Sequence, residues 1–205
     1  MNFPVRRFAV VAAALASALG TVVPSASAAT ADPWTVTPAG AYTAHAVQPT
    51  WTVPSATFLC DSLDVTAGML QATGATGGRI GTIDAIAVRY CSVGGIEYTV
   101  TQSATPWTIN PVGQNPTHTN WVDVRISGVS VHWNGFGCAA DFKGALYGHY
   151  ENDTGNLVIG DRPGALLVSN VNCLGLINNG DAVTLRASLH MAMASTGEAP
   201  LIKAS

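Results

Sequence analysis

At 205 residues the chain suits one domain with a sizeable core, and 48% hydrophobic with 10% charged residues, 21 glycines and 11 prolines exclude a disordered chain and a coiled coil. The formal charge of −3 comes without any cluster of Lys and Arg, which excludes nucleic acid as a partner.

Residues 1–28 read as a secretory signal. Arg6 and Arg7 supply the positive end, Ala9 to Val23 the apolar run, and Ala26-Ser27-Ala28 after Pro24 a small-x-small cleavage site. The apolar run, about fifteen residues, is short for a membrane span. The Arg6-Arg7 pair raises a twin-arginine route, but its surroundings fit that motif poorly, so general secretion is preferred. Cleavage after Ala28 is expected to leave a single secreted domain, 29–205, soluble and without a membrane span, with twelve acids against seven bases, a balance of −5.

In the exported part, Ala29 to Pro33 reads as a flexible lead and Trp34-Thr35-Val36-Thr37 as a strand ended by Pro38-Ala39-Gly40. Tyr42 to Val47 reads as a second strand. Pro49 and Pro54 bracket Trp51-Thr52-Val53, which predicts an edge or a loop. After Ala56 to Cys60, Leu63 to Leu70 alternates cleanly, and the run Gly74 to Gly78 turns the chain into Arg79 to Cys91, whose mixed parity suggests a bulge or cover on both faces. Gly94-Gly95 is a turn, and Ile96, Tyr98 and Val100 share one face of the next strand. Trp107-Thr108-Ile109 is short, and Asn110 to Asn120 reads as the longest loop, a candidate linker.

Trp121 to Trp133 is the longest strand pattern. Its apolar phase slips at Gly128, the signature of a β-bulge, and Asn134-Gly135 is a two-residue hairpin signal. Cys138 to Tyr150 reads as one or two strands. Asn152 to Gly155 and Arg162-Pro163-Gly164 read as turns around the short strand Leu157-Val158-Ile159, and Ala165 to Cys173 as a further strand. In the stretch after Cys173, Leu174, Leu176 and Ile177 are expected to cap the core and Asn179-Gly180 to turn the chain. Val183, Leu185, Ala187, Leu189 and Met191 then share one face of the last strand. Short strands with Gly, Pro and Asn turns predict an all-β fold, an antiparallel β-sandwich with a β-barrel as the alternative.

Four cysteines, Cys60, Cys91, Cys138 and Cys173, lie in the exported part and predict two disulfides. Their wide spacing does not suit a four-thiolate metal site, which uses close pairs. Three connectivities are open. A faint internal echo, two Cys-to-Cys spans of similar length each with a glycine turn, favours Cys60 with Cys91 and Cys138 with Cys173.

No G-x-S-x-G nucleophile turn occurs, and phosphate loops are absent. His132, His149 and His190 sit in strands at polar or ambiguous parity; they could converge on a metal if their strands were neighbours, but no pair has ligand spacing such as i, i+2, so no metal site and no cofactor are expected. Asp61 and Asp64 flank the first half-cystine and make an unconvincing catalytic pair, while Glu151 and Asp153 occupy a turn, where acids are common; with Asn152 they could bind calcium, but the ligand series of a calcium loop is missing. Trp121, Trp133, Phe136 and Tyr147 are the candidate ligand surface, as an aromatic platform for a carbohydrate or small apolar ligand, against the plainer role of core and turn packing.

The segments Trp34-Thr35-Val36-Thr37-Pro38, Ile80-Gly81-Thr82-Ile83, Pro106-Trp107-Thr108-Ile109-Asn110 and Cys173 to Asp181 (C-L-G-L-I-N-N-G-D) resemble a group of small secreted proteins of actinobacterial type over nearly the whole exported chain. A more distant likeness is to the secreted alkane-oxidation activator family. The resemblance implies secretion and an all-β fold; it implies no catalytic residues. The leading expectation is a secreted, non-enzymatic binding or cell-surface module. The competing expectations are a secreted hydrolase with a spatially assembled site and an amphiphilic protein that contacts hydrocarbon or other apolar surfaces.

Overall fold

A computed structural model describes residues 34–74, 78–160 and 165–205. The expected signal segment, the lead Ala29 to Pro33, the centre of the Gly74 to Gly78 run and the turn Arg162-Pro163-Gly164 lie outside the described residues.

Fifteen strands occupy the described residues: β1 Trp34–Thr37, β2 Gly40–Val47, β3 Thr50–Val53, β4 Ala56–Leu59, β5 Ser62–Leu70, β6 Gly81–Arg89, β7 Cys91–Val93 and β8 Ile96–Gln102 in the first half. The second half holds β9 Trp107–Gln114, β10 Trp121–Gly135, β11 Cys138–Glu151, β12 Asn156–Ile159, β13 Leu166–Cys173, β14 Ala182–Met193 and β15 Leu201–Ala204. The fold is all-β with antiparallel pairing. Two disulfides join Cys60 to Cys91 and Cys138 to Cys173, the pairing that the echo favours.

Three long strands organise the sheet. The first half of β10 pairs with β9 and its second half with β8; β11 likewise divides between β13 and β12, and β14 between β3 and β2 on one edge and between β13 and β12 on the other. The ladder therefore closes twice. One circuit runs β2-β5-β6-β9-β10-β11-β12-β14, the other β3-β4-β7-β8-β10-β11-β13-β14. Both β10 and β11 carry an irregularity where they pass from one circuit to the other. In β10 it is the expected bulge: the register to β11 shifts between Ser127 and Val129, and Gly128 takes a φ of +76°. In β11 Gly144 and Gly148 let neighbouring strands approach, since a methyl group there would overlap the Ala165 and Val158 carbonyl oxygens.

The two circuits enclose different cores. Inside the first, aliphatic side chains such as Leu63, Ile126, Leu157 and Leu189 pack with Trp107 around a void of about 20 Å³, too small and too apolar for a ligand. Inside the second, Trp51, Phe58, Trp133 and Phe142 make edge, tilted and stacked contacts at centroid distances of 4.8–6.1 Å. A small ribbon of β1 and β15 completes the fold. The Asn152 side chain donates to the Ile202 carbonyl at 2.9 Å and accepts from the Ile202 N–H at 2.7 Å, as a strand would, and Tyr150 donates to the Pro200 carbonyl.

Four expectations change. Trp51-Thr52-Val53 is not an edge or a loop: β3 is paired on both sides, by β4 and β14, and Trp51 is fully buried, because Pro49 and Pro54 fall just outside the paired residues. Asn110 to Asn120 is not a linker, since β9 runs on to Gln114, and a bulge at Val112 of β9, opposite the Asp123-Val124 step of β10, follows Pro111. Asn134-Gly135 is not the hairpin turn. Gly135 pairs with Cys138, so the turn is Phe136-Gly137; Gly135 is glycine because a Cβ would meet the Tyr98 ring and the Glu97 carbonyl. Leu174 does not cap the core: Ile177 is buried and Leu176 packs against the core, while Leu174 is 96% exposed.

Candidate functional site

The four candidate aromatics do not share one surface. Trp133 is 1% exposed and lies at the centre of the second core, so it offers nothing to a ligand. Its parity on β10 is set by the Gly128 slip, which turns Val129, Val131 and Trp133 inward. Trp121 is half-buried, with the His118 ring stacked at 3.8 Å and the His149 ring at 4.1 Å, both nearly parallel to it. Two rings that close to one indole centroid must cover its opposite faces, which leaves no face for a sugar. Tyr147 lies under the Arg125 guanidinium at 5.8 Å from its ring centroid. Phe136 alone is displayed, 90% exposed at the β10–β11 turn.

The Phe136-Gly137 turn has a neighbour that alternation could not reveal. A Cβ on Gly137 would lie 3.9 Å from Leu174, because Cys138 and Cys173 are register partners and the two loops leave the sheet side by side. Other turns gather at the same end. Ser55 donates to the Leu176 carbonyl, and Tyr98, opposite Gly135, stands two residues from Ile96 at the Gly94-Gly95 turn. No charged residue occurs in Pro54-Ser55, Gly94-Gly95, Phe136-Gly137 or 174–180. The result is an end whose turns hold no charged residue and carry two almost fully exposed apolar side chains and the part-exposed Ile96, with Glu97 and Asp181 at its edge.

The histidines form three separate carboxylate pairs on strand faces. His45 and Asp64 are cross-strand partners at 2.5 Å, His132 and Asp141 at 2.7 Å, and His149 meets Glu151 two residues on at 3.3 Å. Asp141 also accepts from Asn170 at 2.7 Å and Lys143 at 3.1 Å. Hydrogen bonds from His132 and Asn170, with the Lys143 charge, outweigh partial burial and hold its carboxyl down at about 2. A folded-state value below the unfolded one means stability that is complete above the unfolded carboxylate range and lost as pH falls toward about 2. Denaturant titrations from pH 5 downward, on the order of one pH unit apart, should therefore show the wild type losing stability faster than Asp141→Asn, with the difference closing at the acid end.

Ser62, Asp64 and His45 are the nearest approach to a nucleophilic triad, and their order is unsuitable. Ser62 Oγ donates to Asp64 Oδ2 at 2.9 Å while His45 Nδ1 bonds Asp64 Oδ1. The acid stands between hydroxyl and imidazole, so no base takes the Ser62 proton. Among the described residues no group of three or more His, Cys, Asp or Glu side chains is placed to hold a metal. Among them, too, no helix is long and apolar enough to cross a membrane. Comparison finds no family model, no curated protein and no solved structure that matches the chain.

Proposed function

We propose that the chain is a non-enzymatic module, exported to the cell envelope or beyond, that attaches to a neutral apolar surface through the end bearing Phe136 and Leu174. The observation that carries this reading is the pair of side chains, 90% and 96% exposed, on adjacent disulfide-anchored loops whose own turns hold no charged residue. Two structural disulfides fit an oxidising compartment. The lack of charge in the turns themselves makes their tips cheap to dehydrate, and the acidic balance of residues 29–205 gives the end no attraction to anionic lipid. Burying one Phe and one Leu contributes about 3–6 kcal/mol in total, enough for reversible adsorption and not for permanent anchoring. The filled cores and the covered faces of Trp121 favour this over a pocket for a sugar.

The test is adsorption of the exported chain to octyl-coated beads and to neutral phosphatidylcholine vesicles. The wild type should adsorb more strongly as sulfate is added, since salting-out strengthens apolar contact, whereas ionic contact would weaken. The double variant Phe136→Ser/Leu174→Ser should fold normally and adsorb on the order of 100-fold less. Equal adsorption by variant and wild type, or adsorption that falls with salt, would remove the proposal.

A further inference from the structure

A second surface lies on the strands of the first circuit. His190 of β14 and His45 of β2 are directly opposite in register, so their side chains leave the same face, and both line an open cleft of about 720 Å³. The row continues on both sides: Asp64 is opposite His45, and Asn156 is opposite His190. Each neighbour binds the inner nitrogen of its histidine. His45 Nδ1 lies 2.5 Å from Asp64 Oδ1, and His190 Nδ1 lies 3.3 Å from Asn156 Oδ1. A carboxylate oxygen and an amide oxygen each accept the hydrogen bond that a ring N–H donates. Both Nδ1 atoms therefore carry protons, and in the neutral rings both Nε2 atoms present lone pairs.

We propose that His45 and His190 bind one late first-row divalent transition ion, Cu²⁺ in preference to Zn²⁺, through their two Nε2 atoms. Adjacent strands hold opposite residues close enough for two imidazoles to share an ion, and an oxygen acceptor on the remote nitrogen is the usual partner of a metal-bound histidine, fixing both tautomer and ring plane. Imidazole nitrogen suits copper and zinc rather than calcium or magnesium, and copper binds such donors most tightly. Water or an anion completes the coordination, with the Ser62 hydroxyl and Arg89 lining the same cleft. Nothing in the contact proposed for the Phe136 end depends on this site.

Copper titration of the tag-free exported chain, followed by electron spin-echo spectroscopy at neutral pH, tests the proposal. One equivalent should bind with two imidazole nitrogens. His45→Ala and His190→Ala should each leave one imidazole and weaken binding tenfold or more, and both residues are exposed, so the apo variants should keep the wild-type melting temperature. Asp64→Asn should weaken binding by about 10–100-fold while both imidazoles remain. His132→Ala, whose ring bonds Asp141 and faces no second histidine, should change nothing. The proposal fails if no copper binds, or if the imidazole count survives both the His45 and the His190 substitution.

Discussion

Trp133→Ala should destabilise the protein by about 3–5 kcal/mol and lower the midpoint of denaturant unfolding without a new ligand-binding phenotype. Trp133 touches Trp51, Phe58, Tyr98 and Phe142 at once, at centroid distances of 4.8–6.3 Å. Its removal opens a cavity at the junction of β3, β4, β8, β10 and β11, where strands fixed by closed ladders cannot collapse inward. Trp133→Phe keeps an aromatic ring against the same neighbours and should cost clearly less. Equilibrium unfolding monitored by circular dichroism separates the cases. A Trp133→Ala protein as stable as the wild type would mean that the aromatic cluster is not the core of the second circuit.

The disulfides carry the second large effect. Cys60–Cys91 and Cys138–Cys173 close loops with sequence separations of 31 and 35 residues. On the loop-entropy account each restricts the unfolded chain by about 3–4 kcal/mol. Replacing Cys138 and Cys173 together by Ala should therefore lower stability by about that amount, with a matching loss for Cys60 and Cys91. The two bridges should differ in a second readout. Phe136 is two residues before Cys138 and Leu174 one after Cys173, so loss of that bridge should loosen the displayed pair and weaken adsorption to octyl beads beyond the loss of folded protein. Loss of Cys60–Cys91 should not. Thermal melts and adsorption on the same samples check both parts.

Much of the fold could be read in the residues because a strand with one buried face alternates strictly. The apolar phase of β10 slips at Gly128, and the bulge is there; Val183, Leu185, Leu189 and Met191 of β14 all turn inward. What escaped was set by partners distant in sequence. Proline marks where a ladder hydrogen bond is missing, not whether a strand is central, so Pro49 and Pro54 hid β3, and Pro111 hid the second half of β9. Leu201-Ile202-Lys203-Ala204 is too short to alternate and becomes a strand through β1 and Asn152. Asn134-Gly135 has a turn composition, yet its glycine is required by the packing of Tyr98.

The site was harder to read for the same reason. The aromatic residues drew attention by type, but Trp133 is core and Trp121 is covered on both faces. Leu174 looked like a core cap because its neighbours Leu176 and Ile177 are apolar; the loop turns it outward instead. His45 and His190 are far apart in the chain and become a pair only through the β2–β14 register, which no local pattern encodes.

Hydrogen exchange on octyl beads tests the attachment most directly. The account predicts that adsorption slows exchange at residues 134–138, at 172–178 and at the Gly94-Gly95 turn, and leaves the outer face of β2, β5 and β14 unchanged. Protection centred on that face, with the Phe136 and Leu174 loops exchanging as they do in solution, would contradict it.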